Sequence, residues 1–251
     1  MRYAVLADIH SNLDALNAVM EQLPREHIDR YLCLGDLVGY GAEPAACMTR
    51  MQDCQALTVG GNHDLACIGK FDPNKLDDAA RAAVLWTRDQ LSFTDLDILR
   101  RLPLVENDEL FTLAHGTLRH PERFEYLFDM AQAIETMSVC QTLFCLVGHT
   151  HVPYFVEYDR RHRRLSRIMT EANGLSDISY EDDAQAYRYL INPGSVGQPR
   201  DGNPQASLAL IDTECKRITI KRIAYDITSA QRKIQQAGLP GFLAERLAIG
   251  R

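Results

Sequence analysis

Gly61-Asn62-His63-Asp64 follows a short apolar run, Ala56-Leu57-Thr58-Val59, with Gly60 between them. An apolar run of this length that ends in glycines reads as a buried strand. Its end sets Asn62, His63 and Asp64 together at one sheet edge. Turns are often made of such residues, so the tetrapeptide takes its meaning from company. Four other segments share the build: Asp8-Ile9-His10, Gly35-Asp36, His115-Gly116 and Gly148-His149-Thr150-His151. Each follows an apolar run, and the five strand ends are expected to converge.

Working outward, Tyr3 to Ala7 form a nearly continuous apolar run, as a strand covered on both faces would. Asp8 and His10 are two apart, so on extended chain they point the same way. Ser11 with Asp14 three positions later suggests a helix start, and Leu13, Leu16, Val19, Met20 and Leu23 give that helix one apolar face. Pro24 ends it. Tyr31 to Leu34 form the next strand, before Gly35-Asp36, and a helix is expected near Glu43 to Met51. This β-α-β-α-β order argues for parallel strands with functional groups beyond their carboxyl ends. Residues Asp77 to Arg101 read as helical, with a second start at Ser92 and Asp95. The segment at about 70–104, with the single Trp86, reads either as packing or as a helical flap over a pocket. Leu110 to Ala114 deliver His115, a helix is expected around Arg123 to Ser138, and Leu143 to Val147 deliver His149 and His151.

Beyond His151 the character changes. Tyr154 to Glu157, Leu165 to Met169, Tyr187 to Ile191, Ser207 to Ile211 and Arg217 to Ile223 read as strands with few helices between them. They suggest a second, more antiparallel sheet packed on the first. The basic run from Arg160 to Arg164 reads as a solvated turn, with the acidic Glu181-Asp182-Asp183 nearby in sequence. Asn192-Pro193-Gly194-Ser195 turns sharply, and a helix from about Thr228 to Gln236 closes the chain. There is no internal repeat and no low-complexity linker, so one domain over residues 1–251 is expected.

Composition narrows the function classes. A formal net charge of -7 argues against non-specific nucleic-acid binding, although a local metal site could still draw an anion into an acidic protein. The seven cysteines show no Cys-x-x-Cys pair and are odd in number, which favours reduced thiols over a disulfide framework. No apolar segment approaches membrane-spanning length, and Asp8 interrupts the N-terminal run. A cytoplasmic location with no membrane partner is the expectation.

Five of the eight histidines follow apolar strands beside Asp, Asn or Gly. A mixture of carboxylate, imidazole and amide oxygen suits borderline divalent ions; no cysteine cluster supports a structural zinc site. These residues resemble the calcineurin-like metallophosphoesterase superfamily, whose ordered pattern is D-x-H, G-D, G-N-H-D/E, H and G-H-x-H. All five blocks are present in that order over roughly residues 1–200. The short spacing and the late Asn192 to Ser195 turn look like its small prokaryotic, phosphodiesterase-like branch.

The resemblance implies an α/β fold, a four-layer αββα sandwich of two mixed β-sheets flanked by helices. It implies that Asp8, His10 and His151 bind a first metal, that Asn62, His115 and His149 bind a second, and that Asp36 bridges both. The cofactor would be two divalent ions: manganese, with iron, zinc, cobalt or nickel as alternatives. The implied reaction is attack on phosphorus by a hydroxide activated between the ions, with His63 as general acid. Phosphodiesters or nucleotides, dinucleoside polyphosphates among them, are the expected small substrates. A phosphomonoesterase and a non-catalytic metal-binding interaction module are the alternatives.

One departure stands out. Calcineurin-type phosphatases follow G-D with an Asp that orients the catalytic histidine and an Arg that grips phosphate. Here the block continues Leu37-Val38-Gly39-Tyr40-Gly41. That disfavours a protein phosphatase. Asp64 is a candidate orienter of His63 by adjacency, Arg200 a candidate phosphate grip, and Tyr40 a candidate base-stacking residue.

Overall fold

The computed structural model describes residues 1–170 and 176–251. The chain runs β1 (Arg2–Leu6), α1 (Leu13–Gln22), β2 (Arg30–Cys33), α2 (Pro44–Asp53), β3 (Leu57–Thr58), α3 (Asn62–Cys67), α4 (Asp78–Gln90) and α5 (Phe93–Arg101). It continues with β4 (Val105–Asn107), β5 (Phe111–Ala114), α6 (Met130–Val139), β6 (Phe144–Leu146), β7 (Tyr154–Asp159), β8 (Arg164–Thr170) and β9 (Asp177–Ser179). It ends with β10 (Tyr187–Asn192), β11 (Ala206–Asp212), β12 (Arg217–Ile223), α7 (Ile227–Gln236) and α8 (Gly241–Glu245).

Alternation along the strands creates the layers. Tyr3 and Val5 of β1 share a buried cluster with Phe111, Phe144, Tyr189 and Ile211, which fills the space between two sheets. Ala4 and Leu6 turn the other way, onto Leu16 and Val19 of α1 and Met48 of α2. In the second sheet Cys145 and Leu190 face outward onto Ala133 and Met137 of α6. Helix, sheet, sheet and helix therefore follow from strands apolar on both faces. Two mixed six-stranded sheets result, in the orders β3-β2-β1-β11-β12-β9 and β4-β5-β6-β10-β7-β8.

The sheets are not divided where the sequence changes character. The expected second sheet of late strands does not exist as such. β11 pairs antiparallel with β1, while β10 pairs parallel with β6. The shift in sequence marks the connection type. Antiparallel neighbours need only a hairpin, whereas parallel ones need a helical crossover, and neither says which sheet a strand joins.

Four smaller corrections concern ends. Asn12, not Ser11, caps α1: its Oδ1 accepts the Ala15 N–H at 3.1 Å. Gly61-Asn62-His63-Asp64 leads into α3, so Asn62 and His63 ride on a helix N-terminus rather than a bare strand end. α6 starts at Met130, where Asp129 and Gln132 form a capping box; Phe124 in the left-handed region (φ 52°) breaks the earlier start. α8 follows the expected last helix. Ser92 and Asp95 form the expected capping box. The basic run is a turn against the acidic segment, with Arg161 3.7 Å from Asp183. Among the described residues no helix is long and apolar enough to cross a membrane.

Candidate metal centre

β1, β2 and β3 run parallel in one sheet, and β5 and β6 run parallel in the other. Their carboxyl ends meet at one edge of the sandwich. The first sheet delivers Asp8, His10 and Asp36, with Asn62 and His63 on the following helix. The second delivers His115, His149 and His151. The sheets are stitched there by the His149 N–H, which donates to Asp8 Oδ2 at 3.0 Å.

All the ligand candidates named from sequence are brought together and buried. Asp8, His10 and His151 form one group with ligand atoms within 4.8 Å of one another, and Asp36, His115 and His149 form another. Asp36 Oδ2 lies between them, 3.5 Å from His10 Nε2 and 3.2 Å from His115 Nε2. Asn62 Oδ1 is buried and has no hydrogen-bond partner among the described residues.

Backbone carbonyls set the imidazole tautomers. His10 Nδ1 donates to Val38 O at 3.2 Å, and His151 Nδ1 donates to Gln198 O at 2.6 Å. A carbonyl only accepts, so these nitrogens carry the protons and each Nε2 presents a lone pair. The two Nε2 atoms face each other at 3.1 Å. His115 repeats the device: Nδ1 donates to Leu34 O at 2.7 Å, and Nε2 faces His149 Nδ1 at 3.1 Å. Lone pairs aimed at one another beside the Asp8 and Asp36 carboxylates fit divalent cations.

Electrostatics agree. Burial pushes His10, His149 and His151 well below the usual imidazole range, so they are neutral donors. Burial pushes the Asp8 carboxyl up to about 7. Burial also works against the Asp36 charge, but His115, His63 and His10 hold that carboxyl well below its usual range. For His115 burial lowers the pKa, yet Asp36 and Asp8 prevail and raise it to about 9. A proton and a cation therefore compete for this ring.

The backbone is strained here. Asp8, His10, Ser11, Asp36, Tyr40, His149 and His151 all have positive φ, between 49° and 67°. Each such non-glycine residue costs about 1–3 kcal/mol and persists only where its surroundings over-determine it. A glycine is required at 61, because a Cβ there would stand 2.0 Å from Asp36 Oδ1.

Asp64 does not orient His63. Its carboxylate accepts Gly61 N–H at 3.0 Å and Val38 N–H at 3.2 Å, tying two site loops together. The His63 ring is held by packing instead, 4.4 Å from the Tyr40 ring and 4.8 Å from His10. A Cβ at Gly39 (φ 91°) would meet His63 Nδ1 at 2.5 Å. Among the described residues Arg200 has no ion pair with Asp or Glu. It is half-buried, and its Nη2 donates to Tyr40 Oη at 3.2 Å and Gln198 Oε1 at 2.9 Å.

Sequence reading missed several supports. Tyr126 stacks on His149 at 4.0 Å with planes 9° apart, and Phe128 stacks on Tyr126 at 5.1 Å. Tyr126 is 41% exposed and Phe128 71%, so this column of rings leads from the centre to solvent. The only sequence signal was two aromatics in a segment read as helix. The late turn also acts here. Asn192 Nδ2 donates to Gly148 O at 2.7 Å, and Ser195 Oγ donates to Asp8 O at 2.7 Å.

Comparison with known proteins agrees with this geometry. Residues 1–216 match the family model described as the calcineurin-like phosphoesterase superfamily domain. An uncharacterized protein of Methanocaldococcus jannaschii is 38% identical over 252 residues, covering 99% of this chain and 98% of that one. The crystal structure of a metallophosphoesterase from Sphaerobacter thermophilus is 36% identical, covers 100% of both chains and superposes with a TM-score of 0.84. A hypothetical protein from Pyrococcus horikoshii shares the fold at 23% identity, covering 100% of this chain and 98% of that one, with a TM-score of 0.77.

Proposed function

This chain belongs to the calcineurin-like phosphoesterase superfamily, and from that premise we propose that its buried centre hydrolyses phosphodiesters, small nucleotide esters among them. The observation that carries the reading is the pair of facing imidazole couples, each with nitrogens 3.1 Å apart, joined through Asp36. Asp8, His10 and His151 would hold one divalent ion, Asn62, His115 and His149 a second, and Asp36 both. Manganese is the proposed metal. Such ions would supply an activated water and neutralise charge on the phosphoryl oxygens.

The chain's own residues do the rest. Backbone carbonyls of Leu34, Val38 and Gln198 aim the imidazoles. His63 is the proposed general acid. Burial lowers its pKa to about 4, so the ring is neutral until an anionic ester enters and raises its proton affinity. Arg200 and Tyr40 line the mouth, the first as a phosphate grip. We read the whole chain as one unit, with the segment at about 70–104 as a wall of the cleft. Phe71 meets Phe124 at 5.5 Å, and Ala80, Ala83 and Trp86 pack in one cluster with Tyr40.

The test is hydrolysis of bis-p-nitrophenyl phosphate beside p-nitrophenyl phosphate, after manganese reconstitution and with a metal-free control. Metal-dependent diester cleavage well above the monoester supports the proposal. A monoester preference would assign a phosphomonoesterase instead. Two bound metals with neither ester cleaved would count against an enzyme for such substrates. His63→Ala should keep metal and lose about 100- to 10,000-fold on an alkyl leaving group; full activity would remove His63 from that role.

A further inference from the structure

Two arginines meet one aromatic ring at the mouth of the cleft. The guanidinium carbon of Arg200 lies 5.6 Å from the Tyr40 ring centroid, and that of Arg246 lies 6.0 Å from it. The same ring is 4.4 Å from His63. Arg246 also stands 5.1 Å over Phe242, and its Nε donates to the Arg251 carbonyl. Among the described residues neither guanidinium has an Asp or Glu carboxylate oxygen within 4.0 Å. Arg200 Nε is buried and has no hydrogen-bond partner among the described residues. Asp8 bears on Arg200, Asp77 on Arg246, and Asp36 and Asp77 on the Tyr40 hydroxyl between them; Asp77 caps α4 by accepting the Ala80 N–H at 2.8 Å.

Two like charges drawn together in partial burial, one with an unused donor, are unfavourable unless an anion joins them. Guanidinium forks match phosphate oxygens in pairs. A phosphoryl group over the metal ligands would have its free oxygens turned toward those cations. The arginines are then available to a different group.

The geometry points to a second anion subsite, formed by Arg200 and Arg246 about the Tyr40 ring, that takes a second phosphoryl group linked to the one undergoing hydrolysis. It deepens the phosphoesterase reading and rests on it for the first phosphoryl group. The substrate class becomes compounds with two linked phosphoryl groups, such as nucleoside diphosphates or pyrophosphate-bridged diesters. Arg246, near the end of the chain and outside every recognised motif, is the specificity-determining residue.

The experiment is calorimetric titration of the manganese-loaded full chain with methylenediphosphonate and, separately, with inorganic phosphate. Wild type should prefer the diphosphonate. Arg246→Gln should weaken the diphosphonate about tenfold or more, the loss expected for a charged hydrogen bond, and weaken phosphate several-fold less. Arg246→Met keeps the apolar stem against Phe242 and decides by the same ratio if the glutamine variant does not fold. Equal weakening of both ligands, or none, would overturn the subsite. Failure of the metal-loaded protein to hydrolyse any ester would sink the phosphoesterase reading alone, because this titration needs no turnover.

Discussion

His10 and Arg246 both meet the Tyr40 ring, at 4.6 and 6.0 Å, yet they reach it by unlike routes. His10 stands two residues beyond Asp8 at the end of a buried strand. Its φ is 49°, and its Nδ1 is tied to a carbonyl. Arg246 comes from the last turn of the chain and is held by a ring below it and by one backbone oxygen. The floor of the cleft is thus made of strand ends whose side-chain directions are set by the backbone. The rim is made of long side chains gathered from the 124–129 loop, the segment after β10 and the C-terminal helices. A floor of this kind should fail abruptly when altered, and the rim by degrees.

Asp36→Asn should have the largest effect. Its Oδ2 reaches both imidazole sets, so metal content and activity should fall together, by more than the roughly 100-fold typical of outer-shell changes. Metal analysis beside the diester assay reads this, and full metal stoichiometry in the variant would break the bridge assignment. Asn192→Ala should come next. It removes the donor to Gly148 O and Thr150 Oγ1 beneath His149 and His151 and should cost about 10- to 100-fold in metal affinity by titration. Unchanged affinity would mean that the loop holds its strained shape unaided. The smallest effect is expected at the rim. Tyr126→Ala removes a ring stacked on His149, worth about 0.5–1.5 kcal/mol, so KM should rise about two- to tenfold with metal retained. A loss of metal instead would move Tyr126 from the rim to the floor.

How much could be read beforehand divides along the same line. Apolar runs closed by Asp8-Ile9-His10, Gly35-Asp36 or Gly148-His149-Thr150-His151 state their strand and their chemistry within a few residues. Those blocks, in their order, carry the resemblance that implies the whole proposed ligand set. Asp64 misled because adjacency suggested a partner for His63, whereas the carboxylate turns back to cap its own helix and to hold Val38. Arg246 carried no signal and Tyr126 only its aromaticity, since their roles depend on neighbours outside their own segments.

Local pattern therefore established the parallel β-α-β beginning, and the ordered motifs, through the family they resemble, implied the mixed sheets with flanking helices and the residues proposed for a metal centre. Alternation and strand-end chemistry act over two to five residues, within reach of sequence reading. Tertiary structure alone decided which strands share a sheet, which carbonyls hold the imidazoles, what packs His63 and which cations stand at the mouth. Those outcomes depend on contacts such as Asp8 with His149 and Arg200 with Tyr40, more than a hundred residues apart. No local periodicity encodes a contact over that separation.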